Sequence, residues 1–260
     1  MNATIVHTTD LVHDERASFE HSAALALVSR SRLISLHANA PQSAAARMPE
    51  VEELFGAWNV AAPGFDFTKQ VHTCCDDPVD TILDALAELQ PSLVVLATHK
   101  KSALARVFAG STAEAVAHNA TAPVLILPVD PRGFVDEATG AIGLQRVLIP
   151  IGDAQAAAAA VQAAADFAAL AHADVVQFQL MHVGNPVSVD TSVLSSREGW
   201  SVHKLDGHDD IETAIVEQAD RACLTVMATR GHDSVGDVLR GSHTDRVLHR
   251  TRCPLLAIRV

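Results

Sequence analysis

The chain carries one stretch of sequence twice, and this repeat constrains its fold more than any other feature does. Residues 93–129 align with residues 224–260 without a gap. Gly110-Ser111 corresponds to Gly241-Ser242 in this alignment. Self-similarity at a fixed spacing is typical of a protein built from repeated structural units. The sequence therefore predicts two copies of one domain in a single chain.

The starts of the two copies also correspond, but at a larger spacing. Thr4–Asp10 resembles Arg146–Gly152. The first copy must therefore contain extra residues in its middle. We place them within 38–70, where the run PQSAAARMPEVEELFGAW predicts an added or longer helix.

Domain boundaries follow from the positions of the two copies. We predict a first domain over 1–130, a linker over 131–144 and a second domain over 145–260. The linker is rich in Gly, Pro and acidic residues, which are frequent in connecting segments. Each predicted domain is long enough to bury a core of its own.

Within each copy, short apolar runs alternate with segments of helix-forming residues. In the second copy the predicted strands are Val147–Ile151, Val175–Val183, Leu224–Ala228 and Leu255–Val260, and the predicted helices are Gln155–His172, Asp209–Arg221 and Ser242–Arg250. In the first copy, Asp77-Pro78 predicts a helix N-cap followed by proline at the first helical position. Strands that alternate with helices predict an α/β fold with a parallel sheet.

The charge of the chain limits its partners. The net charge of −12 disfavours nucleic acid and anionic membrane surfaces, because both are negatively charged. A small phosphate ligand needs only a local pocket of donors, so it remains compatible with this charge. The first residues, MNATIVHTTD, lack the basic and apolar regions of a signal peptide, and no apolar run is long enough to span a bilayer. We therefore expect a cytoplasmic protein.

Two kinds of segment suit a ligand site in such a fold. In doubly wound sheets the ligand lies beyond the carboxyl ends of the strands, where the strand order reverses. Asp10 and Gly152-Asp153 close the first strands of the two copies. Gly110-Ser111 and Gly241-Ser242 each precede a predicted helix, whose unpaired amides and dipole favour an anion.

At these residues the chain resembles the universal stress protein family. Nucleotide-binding members of that family carry Gly-x-x-Gly-x9-Gly-Ser/Thr after the fourth strand and an Asp at the end of the first strand. The second copy has Ala228, Gly231, Gly241 and Ser242 at the positions of the glycine motif. The first copy has Ala97, Lys100, Gly110 and Ser111 there, so its motif is the more degenerate one.

The resemblance implies a fold and a ligand. The fold is two doubly wound, five-stranded parallel sheets of the Rossmann-like, adenine-nucleotide-hydrolase-like type. They pair through the last strands, Val124–Pro128 and Leu255–Ile258, as a pseudo-dimer within one chain. The implied ligand is ATP or a related adenine nucleotide, bound mainly by the second domain. The implied binding residues are Asp153, Ala228, Arg230, Gly231, Gly241, Ser242 and His243, and more weakly Asp10, Gly110 and Ser111.

Simpler roles for these residues remain open. Gly241-Ser242 also fits a tight turn with a helix N-cap, and Asp10 and Asp153 also fit loop caps. His37 and His182 follow apolar runs and are interpreted as packing residues at the sheet edge. The many histidines of the second copy show no Cys/His ligand spacing, so we expect no metal site: His203, His208, His232, His243 and His249.

Three functions compete at this stage. The first is a stress-response protein without enzymatic activity, which binds an adenine nucleotide and acts through partner interactions. The second is a structural or interaction protein that binds no nucleotide. The third is a slow ATP hydrolase, for which the sequence offers no evident base. A homodimer is possible, and the sequence does not identify a protein partner.

Overall fold

The computed structural model describes residues 3–12, 15–74, 76–98, 112–128, 130–152, 154–182, 187–206, 211–229, 247 and 250–260. Its strands are β1 (Thr4–Thr9), β2 (Arg32–Ala38), β3 (Phe67–His72), β4 (Leu93–Ala97), β5 (Val124–Leu127), β6 (Arg146–Ile151), β7 (Val176–His182), β8 (Trp200–Asp206), β9 (Leu224–Thr229) and β10 (Leu255–Arg259). Its α-helices are α1 (Arg16–Ser29), α2 (Val51–Ala57), α3 (Pro78–Leu89), α4 (Thr112–Asn119), α5 (Ala154–Leu170) and α6 (Ile211–Ala219), with 3₁₀ helices at Gln42–Arg47 and Ser192–Ser195.

The ten strands form one sheet in the order β3-β2-β1-β4-β5-β10-β9-β6-β7-β8. Within each half every neighbouring pair is parallel, as the alternation of strands and helices predicts. The two halves meet where β5 and β10 pair antiparallel, with Leu125 opposite Leu256. This arrangement confirms the predicted fold class and the predicted pairing through the last strands.

The repeat seen in the sequence is visible in the sheet. β1 and β6 occupy equivalent places in the two strand orders, and so do the pairs β4/β9 and β5/β10. Predicted strand limits such as Val147–Ile151 differ from the observed ones by about one residue, as is usual at element ends. The division into domains at 130 and 145 stays a prediction, because continuous sheet hydrogen bonding joins the two halves.

The two outermost strands were not predicted individually. In β3 only Val71 is buried, and β8 has the sequence WSVHKLD with several exposed positions. Each pairs on one side only, so its outer residues face solvent and its apolar signal is weak. The extra residues of the first half form the Gln42–Arg47 3₁₀ helix and α2, in agreement with the predicted location of the insertion.

The helices pack on both faces of the sheet. Successive residues of a strand belong to different apolar clusters, as Ile5 and Val6 do, because side chains alternate across a sheet. One cluster includes buried residues of α1 and α5, and the other includes buried residues of α3, α4 and α6. Among the helices of the described residues, none combines the length and apolar character needed to cross a membrane.

The start of α3 follows the predicted capping pattern. The Oδ1 atom of Asp77 accepts a hydrogen bond from the amide of Val79 at 2.7 Å, and Pro78 is the first helical residue. The side chain of Asp77 thereby satisfies one amide of the first turn that has no partner within the helix.

The predicted linker is a folded segment that packs on the first half. Val135 and Ile142 form an antiparallel bridge. Asp136 closes the turn between them, since its carboxylate accepts from the amide and the hydroxyl of Thr139. The indole Nε1 of Trp58, at the end of α2, donates to the carbonyl of Glu137 at 3.0 Å.

His21 connects α1 to this linker. Its Nδ1 donates to the carbonyl of Ala17 at 2.7 Å, and its Nε2 accepts from the amide of Phe134 at 3.1 Å. Because one partner can only accept and the other can only donate, the imidazole must be neutral with its proton on Nδ1. Burial lowers the pKa of His21 to about 4, and the hydrogen bond to Ala17 opposes this shift.

A substitution at Gly140 tests the contact between linker and α2. Gly140 has φ +70°, and a Cβ there would overlap the ring of Trp58; Gly64 has φ +78° but open space around it. We expect Gly64→Ala to cost about 1 kcal/mol for the left-handed backbone alone. Gly140→Ala should cost an additional ~1–3 kcal/mol from overpacking. Urea unfolding followed by tryptophan fluorescence measures both, and equal losses would show that Trp58 is not packed on Gly140.

The buried histidine predicts a loss of stability on mild acidification. A His whose pKa is near 6.5 when unfolded and about 4 when folded stabilises the fold fully above pH 6.5. This contribution falls as the pH drops from 6.5 towards 4, by roughly 1.4 kcal/mol per pH unit. His21→Leu should be less stable at pH 7 but should show a slope smaller by that amount between pH 6 and 5. An unchanged slope in urea titrations at these pH values would contradict the assignment.

Candidate functional site

The strand order places two crevices in the sheet. In each half the order reverses beside the first strand: β1 lies between β2 and β4, and β6 lies between β7 and β9. The connections on either side of such a point leave in opposite directions, so a crevice opens at the carboxyl ends of the two strands. The candidate sites are therefore the crevice between β1 and β4 and the crevice between β6 and β9.

In the second half, the pairing of the two strands that border the crevice ends one residue earlier than in the first half. The pairing of β6 with β9 ends at Leu148 opposite Thr225, although β6 continues to Ile151 beside β7 and β9 continues to Thr229 beside β10. In the first half the pairing of β1 with β4 extends one residue further, to His7 opposite Val95.

Pro150 explains the shorter pairing in the second half. The carbonyl of Arg146 accepts from β9 at the amide of Cys223, and the carbonyl of Gln145 accepts from β7 at the amide of Gln177. Backbone groups alternate in direction along a strand, so position 150 faces β9. Proline has no N–H to donate to Val226, and the ladder ends there.

Asp10 follows β1 and is engaged in its own loop. Its Oδ1 accepts from the amide of Val12 at 2.8 Å, and its amide donates to the Glu15 carboxylate at 3.1 and 3.3 Å. The first contact is an Asx turn, and Leu11 within it has φ 60°. The side chain of Asp10 therefore shapes the turn after β1.

Ala228 lies in β9 beside the second crevice and pairs with Ile258 of β10. Its side chain is half-buried and packs on the apolar cluster that contains α5. Its methyl group thus contacts the protein core on the face of the sheet covered by α5.

The other predicted binding residues lie outside the described residues. They are Gly110, Ser111, Asp153, Arg230, Gly231, Gly241, Ser242 and His243. β9 ends at Thr229, so the second glycine motif follows this strand directly in the chain. The assignment of these residues to a ligand stays a prediction.

A buried polar cluster lies below the crevice of the first half, and it was not predicted. His7 of β1 is fully buried, with its Nδ1 3.1 Å from the hydroxyl of Ser35 and its Nε2 3.1 Å from the hydroxyl of Ser18. The Ser18 hydroxyl donates its proton to the carbonyl of Glu15, so it accepts from Nε2–H of His7. The remaining nitrogen, Nδ1, accepts from Ser35. Burial lowers the pKa of His7 to about 4, and the negative charge of Glu15 opposes this shift.

His37 and His182 have positions that differ from the interpretation made from the sequence. His37 is the second-last residue of β2 and His182 is the last residue of β7. Each of these strands has a neighbouring strand on both sides, so neither histidine lies at the sheet edge. His37 donates from Nδ1 to the carbonyl of Thr9 at 2.7 Å and so fixes the end of β1. Within the described residues, no group of three His, Cys, Asp or Glu side chains is arranged to hold a metal ion.

Comparison with known proteins identifies a family and a set of similar folds. The model of the "Universal stress protein family" matches residues 1–128 and 195–259. A universal stress protein from Archaeoglobus fulgidus is 18% identical, with 99% of this chain and 96% of that chain covered and a TM-score of 0.66. A putative universal stress protein from Pseudomonas aeruginosa is 15% identical, with 99% and 93% covered and a TM-score of 0.68. A protein of unknown function from Pseudomonas aeruginosa is 16% identical, with 99% and 92% covered and a TM-score of 0.69. At these identities the solved structures show the shared fold.

Replacing Pro150 tests the cause of the deeper crevice. Pro150→Thr introduces the residue that the first half has at the equivalent position, Thr8, and restores an N–H that faces Val226. We expect the new amide to donate a hydrogen bond to Val226 of β9 and therefore to exchange slowly with solvent. Hydrogen exchange followed by NMR measures this, with the Thr8 amide as the internal reference. Exchange at residue 150 as fast as in exposed turns would show that another constraint separates β6 from β9.

Proposed function

The chain belongs to the universal stress protein family, and from that premise we propose that it binds an adenine nucleotide such as ATP in its second half. The site is the crevice between the carboxyl ends of β6 and β9. Binding changes the contacts that the protein makes with partners, and this change is its role in a stress response.

One observation carries this proposal: the more complete glycine motif follows the strand that borders the deeper crevice. β9 ends at Thr229, and Gly231, Gly241 and Ser242 come directly after it. Glycines allow a backbone to approach an anion closely, and a helix that begins at Ser242 would present its first amides to phosphate. The hydrogen bond that Pro150 cannot form leaves room between β6 and β9 at their carboxyl ends, where the glycine motif follows β9.

Binding without turnover is the expected activity. Amides at a helix start hold a phosphate in the ground state as well as in the transition state, and such uniform binding does not raise the rate of the chemical step. Hydrolysis would also need a positioned water and a base, usually with a magnesium ion. A slow ATP hydrolase is the alternative. A cytoplasmic location and a homodimer remain predictions from the sequence.

Matched glycine substitutions test the site. Gly241→Val adds a side chain where the phosphates are expected, and Gly110→Val makes the same change at the equivalent position of the first half. Isothermal titration with ATP should show a loss of affinity of at least about tenfold for Gly241→Val and of less than about threefold for Gly110→Val. Circular dichroism checks that both variants are folded. Equal losses would contradict the assignment to the second half, and no binding by the wild type would favour the structural or interaction protein.

Phosphate release distinguishes the binding protein from the hydrolase. With magnesium and millimolar ATP, we expect turnover far below the roughly 1–1000 per second of typical enzymes. Gly241→Val serves as the control for contaminating activity. A rate near one per second that disappears in this variant would establish the hydrolase.

A further inference from the structure

Glu15 places a carboxylate at the end of β1. Both of its side-chain oxygens lie within hydrogen-bond distance of the Asp10 amide, at 3.1 and 3.3 Å. Glu15 immediately precedes α1, so the same carboxylate lies at the positive end of that helix. A hydrogen bond from an amide to an ionised carboxylate is stronger than one between neutral groups.

The Asp10 amide faces the crevice. The carbonyl of Thr4 accepts from β4 at the amide of Ser92, and the carbonyl of Ala3 accepts from β2 at the amide of Arg32. Backbone groups alternate in direction along β1, so Thr9 faces β2, where its carbonyl accepts from His37. The next residue, Asp10, therefore directs its amide to the β4 side. The Glu15 carboxylate occupies the donor that a ligand anion in this crevice would use.

The second half has no carboxylate at the equivalent position. β1 and β6 start at equivalent residues, and α1 and α5 are followed by equivalent left-handed residues, Arg30 and His172. Counting between these points aligns Asp10 with Gly152 and Glu15 with Ala157. Gly152 is exposed, and Ala157 is buried in the apolar cluster under α5.

The polar cluster that holds Glu15 is also confined to the first half. The carbonyl of Glu15 accepts from Ser18, which accepts from His7, which accepts from Ser35. The same alignment and the strand registers identify the equivalent residues of the second half. Ile149 replaces His7, Ala160 replaces Ser18 and Leu180 replaces Ser35. All three replacements are buried and apolar. The first half thus has a complete set of contacts that positions the start of α1 and its carboxylate.

We propose that Glu15 acts as an internal anion that closes the crevice of the first half, so that the protein offers an anionic ligand only the crevice of the second half. The inference takes the class of ligand, an adenine nucleotide, from the proposed function. It concerns the first half, whereas the proposed function assigns binding to the second half. A phosphate entering the first crevice would meet a like charge and an amide that already has an acceptor. Glu15 therefore sets the number of nucleotides per chain at one.

Backbone amide signals in NMR spectra test this proposal directly. Wild type, Glu15→Ala and Glu15→Asp are titrated with ATP and, separately, with pyrophosphate. The aspartate variant keeps the net charge, but its shorter side chain withdraws from Asp10, and it is the milder change if the alanine variant does not fold. Glu53→Ala, on the exposed face of α2, is the control for the loss of one negative charge.

The Asp10 amide should be insensitive to both anions in wild type and in Glu53→Ala, and it should shift on titration in the folded Glu15 variants. A shift of Asp10 in wild type, or no shift in any folded Glu15 variant, would overturn the proposal. The Gly152 amide reports on the second crevice in the same spectra. Absence of a shift at Gly152 in wild type would refute the proposed function independently of the outcome at Asp10.

Discussion

The antiparallel contact between β5 and β10 is the interaction on which the rest of the structure depends. All residues of β5 and the first three of β10 are buried, so each strand would expose an apolar edge without the other. Their pairing joins two parallel sheets into one and gives each half a second neighbour for its last strand. Each crevice lies two strand intervals from this seam, the β5–β10 pairing, one on either side. The pairing therefore fixes the position of one crevice relative to the other.

The sequence predicts the central part of this fold well and the margins less well. The sequence repeat identifies β4 and β9 as equivalent strands of the two copies, and likewise β5 and β10. These strands are recognisable because they are buried on both faces and have continuous apolar runs. The repeat does not reveal β3 and β8, whose outer residues face solvent. The seam itself was predicted from a family resemblance, and strand pairing between distant segments has no local signal in the chain.

The candidate site was predictable only in part. Glycine spacing predicts that the residues after β9 bind an anion, because glycine allows a close backbone approach, and this stays a prediction. The depth of the crevice depends on the direction in which position 150 faces, and that direction is known only once the sheet register is known. His7 directly follows the apolar pair Ile5-Val6 within β1, which is a visible signal, but its partners Ser18 and Ser35 come from two other elements. The contact of Glu15 with Asp10 likewise depends on the path of the loop.

The folded linker has a consequence for assembly. A pair of separate subunits dissociates on dilution, whereas two halves of one chain keep a high effective concentration that does not depend on the amount of protein. Here the connection is also held in place by His21 and Trp58, so little conformational freedom is lost when β5 meets β10. The paired state, and with it the geometry of both crevices, should therefore persist at the low copy numbers at which a two-chain assembly would fall apart.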